Sequence, residues 1–262
     1  MPRVCGAAML YLIGTGISGE LSKEALKICS SSKVYIDSYT SLTTKSSMDS
    51  FLRQIGSAPE PLQRSMLEEG SKALATVALK SDVAVLVPGD PLMATTHKTL
   101  LEEAAAAGAK WKILHSSSIA SAALGESMLD FYRFGRIATI ARWSDHYKPV
   151  SFYEALKSNY DAGLHTLFLF DYDPVEGRSM DFGEVSGILA AAEEEYEEGL
   201  LVPESRAIFM HNIGLEGQAV TKGTLSKIAS LGFANGLNSM IIPATLSYIE
   251  EELTETLLKG EW

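Results

Sequence analysis

"YLIGTGISGELSKEA", residues 11–25, decides how this chain folds. An apolar run from Met9 to Ile13 leads into Gly14-Thr15-Gly16-Ile17-Ser18-Gly19, and a helix-forming stretch follows. Glycines where a strand hands over to a helix let the backbone turn tightly and approach a ligand closely. The next apolar run, "KVYID" at 33–37, ends on Asp37. Strand, G-x-G-x-x-G loop, helix and a second strand closed by an acid is the pattern of a dinucleotide-binding unit. The stretch therefore poses a question: whether its glycines serve NAD or another ligand.

Outward from this stretch the alternation continues. Helical periods at 20–31, 45–55, 65–80 and 95–108 are interleaved with "DVAVLVPGDP" (82–91) and "KWKILHSSS" (110–118). Continuous apolar runs alternating with helices predict a parallel sheet covered on both faces. The later strands, "RIATIA" (136–141), "LHTLFLFDYD" (164–173), "SRAIFMHNIG" (205–214) and "NSMIIPA" (238–244), are spaced differently, with helices at 150–161, 182–198 and 245–258. "QAVTKG" (218–223) fits a hairpin strand beside "AIFMHN". The expected architecture is two α/β domains, 1–122 with a mostly parallel sheet and 123–262 with a mixed one. The acidic run "AAAEEEYEEGL" (190–200) reads as a solvated helix face.

Composition excludes several functions. A net charge of −11 disfavours nucleic acid and anionic membrane as partners, because both repel an acidic surface. Two cysteines, Cys5 and Cys29, exclude a multi-cysteine metal site and point to a reducing, cytoplasmic setting. The histidines, His97, His115, His146, His165 and His211, show no metal-ligand spacing, so no metal is expected. No apolar run reaches the ~20 residues of a membrane span, and residues 1–8 read as a short extension before the first strand.

In open α/β sheets ligands bind beyond the carboxyl ends of the strands. Three small-residue loops follow strands here: 14–19, Pro88-Gly89-Asp90-Pro91-Leu92-Met93, and His115-Ser116-Ser117-Ser118-Ile119. Singly, each has a structural explanation: a tight turn, a strand break at Pro88 and Pro91, or a serine cap for a helix. Together they predict one shared site. Spacing alone leaves an NAD-dependent oxidoreductase open, although the second half offers no hydride-transfer constellation. A Walker loop and a G-x-S-x-G elbow are both missing from the sequence.

The ordered segments "MLYLIGTGIS", "YTSL" (39–42), "VPGDPLMATTH", "HSSSIASA", "FYRFGRIATIA", "GLHTLFLFD" and "MIIPATL" resemble the diphthine synthase family, within the tetrapyrrole-methylase-like (class III) S-adenosylmethionine methyltransferases. The resemblance runs from Met9 to about Leu246. It implies a homodimer of two-domain subunits holding S-adenosylmethionine in a cleft between domains. By motif position it puts cofactor contacts on Ile17, Asp90, Met93, Ser118, Ile119 and Leu169. It adds His211 and Asn238, where this sequence departs from the family's side chains and contact falls to the backbone. The implied substrate is a histidine of translation elongation factor 2 that carries a 3-amino-3-carboxypropyl group, methylated on its amine. Asp90 is expected to anchor the cofactor by hydrogen bonding, and Phe131, Tyr132, Phe134 and Tyr172 are candidate faces for a quaternary ammonium product. No side chain stands out as a catalytic base. A precorrin or ribosomal RNA methyltransferase of the same fold is the alternative.

Overall fold

The structure, a computed structural model, describes residues 8–38, 45–62, 71–173, 176–233 and 236–262. The "YTSL" segment and residues 63–70 lie outside the described residues. The chain divides into two compact units, residues 1–119 and 120–262.

In the first unit β1 (Met9–Gly14), β2 (Lys33–Asp37), β3 (Glu60–Leu62), β4 (Val83–Val87) and β5 (Lys110–Leu114) form a five-stranded sheet in the order β3-β2-β4-β1-β5. Every neighbouring pair is parallel. The helices are α1 (Lys23–Cys29), α2 (Lys45–Ile55), α3 (Ser71–Ala78) and α4 (Lys98–Ala106). β4 shows why its strand reads as an unbroken apolar run. Val83, Val85 and Val87 pack on one side with Leu74, Ala78 and Leu100, while Ala84 and Leu86 pack on the other with Ala25, Cys29 and Phe51. Both faces are dry, so no position can be polar. The Cys29 thiol sits in this core, and burial pushes it up to about 11, which keeps it an unreactive thiol.

Strand order answers the opening question. β4 stands between β1 and β2, so Asp37 is two strand spacings, roughly 10 Å, from the glycine loop. In the dinucleotide-binding unit those two strands are neighbours, which is what lets the acid reach the ribose. The helix also starts late. α1 begins at Lys23 with Ser22 as its N-cap, donor Ala25 N–H reaching Ser22 Oγ at 3.1 Å. Gly14, Gly16 and Gly19 thus precede the helix instead of forming its first turn, and the phosphate-binding helix terminus is not made by them. Asp37 itself is fully buried, its Oδ2 3.3 Å from His97 Nε2. The expected helix over 20–31 is shortened for a local reason: Gly19 has φ 74° and Ser22 is extended.

The second unit holds β6 (Ala138–Ile140), β7 (Thr166–Phe170), the two-stranded pair β8 (Tyr172–Asp173) and β9 (Arg178–Ser179), then β10 (Arg206–His211), β11 (Ala219–Thr224) and β12 (Asn238–Ile242). Its main sheet runs β11-β10-β12-β7-β6, with β6 and β7 parallel and the other pairs antiparallel. The helices are α5 (Ile119–Glu126), α6 (Ser151–Asp161), α7 (Phe182–Tyr196), α8 (Leu225–Ala229) and α9 (Tyr248–Leu257). Its core is aromatic: Phe152 meets Phe168 edge-on at 5.7 Å, and Phe182 meets Phe209 at 5.6 Å. Such pairs add to the area they bury.

Polar skeletons fix two of these helices. α9 opens with a capping box in which Ser247 and Glu250 satisfy each other's backbone N–H groups. The buried Glu250 also accepts from Asp130 N–H at 3.0 Å, from His165 Nε2–H at 2.9 Å and from Arg133. α7 opens with the same device, Asp181 and Glu184, and Glu184 takes Arg178 at 2.6 Å and Arg142 as well. The acidic run at 190–200 is not wholly a solvated face. Glu193 accepts from Tyr153 Oη–H at 2.7 Å and from Leu201 N–H at 2.7 Å, closing the turn after α7.

Candidate functional site

The loops after β1, β4 and β5 touch one another. Gly16 N–H donates to the Gly89 carbonyl and Gly89 N–H to the Gly16 carbonyl, both at 3.1 Å. Ile17 N–H donates to Ser117 Oγ at 3.2 Å. These contacts explain the glycines at backbone level. A Cβ on Gly14 would lie 2.7 Å from the Gly89 carbonyl oxygen and 2.9 Å from Ser116 Cβ. Gly16 has φ 69°, and its Cβ would lie 2.9 Å from both Ser116 Oγ and Ser117 Oγ. The glycines let three loops close on each other. β1 and β4 are also where the connections leave in opposite directions, β1 towards β2 and β4 towards β5, which is the switch point at which open sheets bind ligands.

Asp90 is the pin of this junction. Its buried carboxylate accepts from Leu92 N–H at 3.0 Å on Oδ1, and on Oδ2 from Ser116 N–H at 3.2 Å and His115 Nδ1 at 2.8 Å. It therefore holds its own turn and ties it to the loop after β5. A carboxylate has about four lone-pair sites, so about one is left for an outside donor. Beyond it the chain makes a tight turn, with Met93 N–H on the Asp90 carbonyl at 3.3 Å and Ala94 at φ 55°. Met93 is 48% exposed at the tip of that turn. Ser118 is buried just ahead of α5, and Ile119 is its first residue.

Ile17, Asp90, Met93, Ser118 and Ile119 are thus gathered on three joined loops. The remaining expected residues fall in the second unit, where they form a row across three strands. Leu169 is the register partner of Ser239, and the adjacent Asn238 is the partner of His211. His211 and Asn238 spend their side chains on the fold. His211 Nδ1 meets Asn238 Oδ1 at 2.8 Å, Asn238 Nδ2 donates to the Met180 carbonyl at 2.9 Å, and the His211 ring stacks on Phe233 at 5.2 Å. Sequence reading missed Ser117 and the Asp90–His115 contact. A histidine placed directly after an apolar strand, among serines, was the available signal for the second.

The four aromatic candidates do not share one environment. Phe131 and Tyr132 are exposed, 62% and 88%, on a short 3₁₀ turn, while Phe134 lies edge-on to the buried His165 and Tyr172 sits partly buried in β8. Among the described residues no group of three or more His, Cys, Asp or Glu side chains could hold a metal ion. Nor is any described helix long and apolar enough to cross a membrane.

Residues 9–229 match the tetrapyrrole (corrin/porphyrin) methylase family. The chain belongs to that family. Diphthine synthase of Methanothermobacter thermautotrophicus is 37% identical over 247 residues, covering 93% of each chain. Diphthine methyl ester synthase of Aspergillus fumigatus is 31% identical, covering 89% of this chain and 88% of its own. A crystal structure of diphthine synthase superposes with a TM-score of 0.85 at 29% identity over 96% of both chains. The chain therefore lies on the diphthine synthase branch of the tetrapyrrole methylases and is a methyltransferase of the S-adenosylmethionine-dependent class. A precorrin or ribosomal RNA methyltransferase gives way to these relatives, and the dinucleotide reading gives way to them and to the strand order.

Proposed function

We propose that this tetrapyrrole methylase transfers methyl groups from S-adenosylmethionine to the amine of the 3-amino-3-carboxypropyl-histidine of translation elongation factor 2. Three transfers give diphthine, a step of diphthamide biosynthesis. The observation that carries the reading is the junction of the β1, β4 and β5 loops around Asp90. Its chemistry suits an adenosyl amino acid: small residues that leave little side chain to obstruct a ligand, and a carboxylate with about one lone pair to spare. Gly89 adds room, since a Cβ there would meet nothing closer than 3.9 Å.

When bound, S-adenosylmethionine supplies a methyl group already activated by its sulfonium. The chain's task is then to hold the amine in line with that methyl, and held geometry alone can account for several kcal/mol of the barrier. Ile17, Asp90, Met93, Ser118 and Ile119 are the proposed cofactor contacts of the first unit. Leu169, His211 and Asn238 are those of the second, the last two through backbone atoms. We assign the protein to the cytoplasm as a homodimer, with elongation factor 2 as its protein partner. Thermal unfolding tests the cofactor. S-adenosylhomocysteine near 100 Kd should raise Tm by about 5 °C or more, and NAD should leave it unchanged. Stabilisation by NAD alone would overturn the reading.

A further inference from the structure

Among the described residues, three histidines lie against carboxylates, and they differ in what is left over. His165 has both ring nitrogens engaged, Nε2 with Glu250 at 2.9 Å and Nδ1 with Ala244 N–H at 3.0 Å. His97 beside Asp37 is sealed from solvent. His115 is different. Its Nδ1 lies 2.8 Å from Asp90 Oδ2, the carboxylate is buried, and the imidazole is 65% exposed. Asp90 also takes two backbone N–H groups, so it acts as an acceptor throughout. The ring proton therefore sits on Nδ1, and the Nε2 lone pair is free on the open side. A buried carboxylate that fixes the tautomer of a histidine and leaves its other nitrogen facing outward is the arrangement of a proton acceptor.

The methyl transfer under Proposed function creates the need for one, and the inference rests on that reading. An ammonium has no lone pair and cannot attack a methyl group. We propose that His115 Nε2 accepts the proton of the substrate's amine, with Asp90 as the positioning residue that aims it. The ammonium proton passes to Nε2. The freed nitrogen lone pair forms the new N–C bond as the C–S bond breaks, and that bond's electron pair stays on sulfur as a neutral thioether. The imidazolium then releases its proton to solvent from its exposed edge. The cycle runs three times, because the mono- and dimethylated amines are each born protonated. The trimethylated product has no proton to give, which ends it. Segments 15–19, 88–96 and 116–125 carry one ionisable side chain, Asp90, and the next ionisable residues along each are Glu20, His97 and Glu126.

His115→Asn tests this, since its amide keeps a donor for Asp90 while removing the base. Single-turnover methylation of elongation factor 2 carrying the aminocarboxypropyl histidine is followed from about pH 5.5 to 9. The wild-type rate should rise and then level off. The variant should be slower by about 10²-fold at neutral pH and should keep climbing as hydroxide takes over. Its affinity for S-adenosylhomocysteine, by calorimetry, should be unchanged. A variant with the wild-type rate and profile overturns the proposal. So does a variant whose lost turnover is matched by lost affinity, because His115 would then be a clamp on the cofactor loop. A wild-type protein that transfers no methyl at all sinks the parent reading instead, and this one with it.

Discussion

Two histidine–carboxylate pairs of similar length serve opposite ends in this molecule. Glu250 and His165 in the second unit are 2% and 0% exposed, and every polar atom of the pair has a partner inside the fold. Asp90 and His115 in the first unit leave one imidazole nitrogen in the open. What separates structure from chemistry is therefore saturation, not the identity of the groups. A pair with nothing left to bind holds helices in place, and a pair with a free lone pair can act on a ligand.

Acid breaks the saturated pair and lowers the stability of the fold. Burial pushes the Glu250 carboxyl up, but the backbone N–H groups of Ser247 and Asp130 and the His165 ring outweigh that and hold it at about 2. Glu184 is held at about 2 as well, burial being outweighed by Arg178 and by the Asp181 backbone. Both protonate first in the unfolded chain, so their contribution is present above pH 4.5 and is lost as pH falls towards 2. For Glu250 that is on the order of 3 kcal/mol, and less for the more exposed Glu184. His165, lowered mainly by burial, adds an earlier loss, because the unfolded histidine takes up its proton first below pH 6.5. Chemical denaturation between pH 7 and 2.5 should show stability falling throughout, and a flat profile would remove this role.

Substitution separates the two pairs. Glu250→Gln should cost about 3 kcal/mol of unfolding free energy, leaving Arg133 and His165 poorly matched, while S-adenosylhomocysteine affinity stays the same. Asp90→Ala should do the reverse and weaken that affinity by about 10- to 100-fold in calorimetry, as loss of a charged hydrogen-bonding group predicts. Unchanged affinity with lost turnover would mean that Asp90 acts only on His115. The smallest effect belongs to the exposed turn: Phe131→Ala with Tyr132→Ala should change stability by less than about 0.5 kcal/mol. Any slowing of the third methylation in that variant would place these rings beside the product ammonium.

Legibility in the sequence followed the range of the interactions. α2 spans Lys45–Ile55, the expected limits, and β2 is "KVYID", because both follow from the periodicity of neighbouring residues. The three loops were legible as small residues after apolar strands. Strand order was not, because inserting β4 between β1 and β2 depends on crossovers that no local pattern encodes. That order is what removes Asp37 from the glycine loop. Glu250 was hidden in "YIEEELTE", where one glutamate turns inward and its neighbours do not. Asp90 and His115 are 25 residues apart, and only the folded sheet brings their loops together.

The most direct test counts methyl groups. Elongation factor 2 bearing the aminocarboxypropyl histidine, incubated with this protein and S-adenosylmethionine, is read by mass spectrometry at that histidine. The expected result is a gain of three methyls, all on the amine. A histidine that remains unmodified while the donor is bound would contradict it.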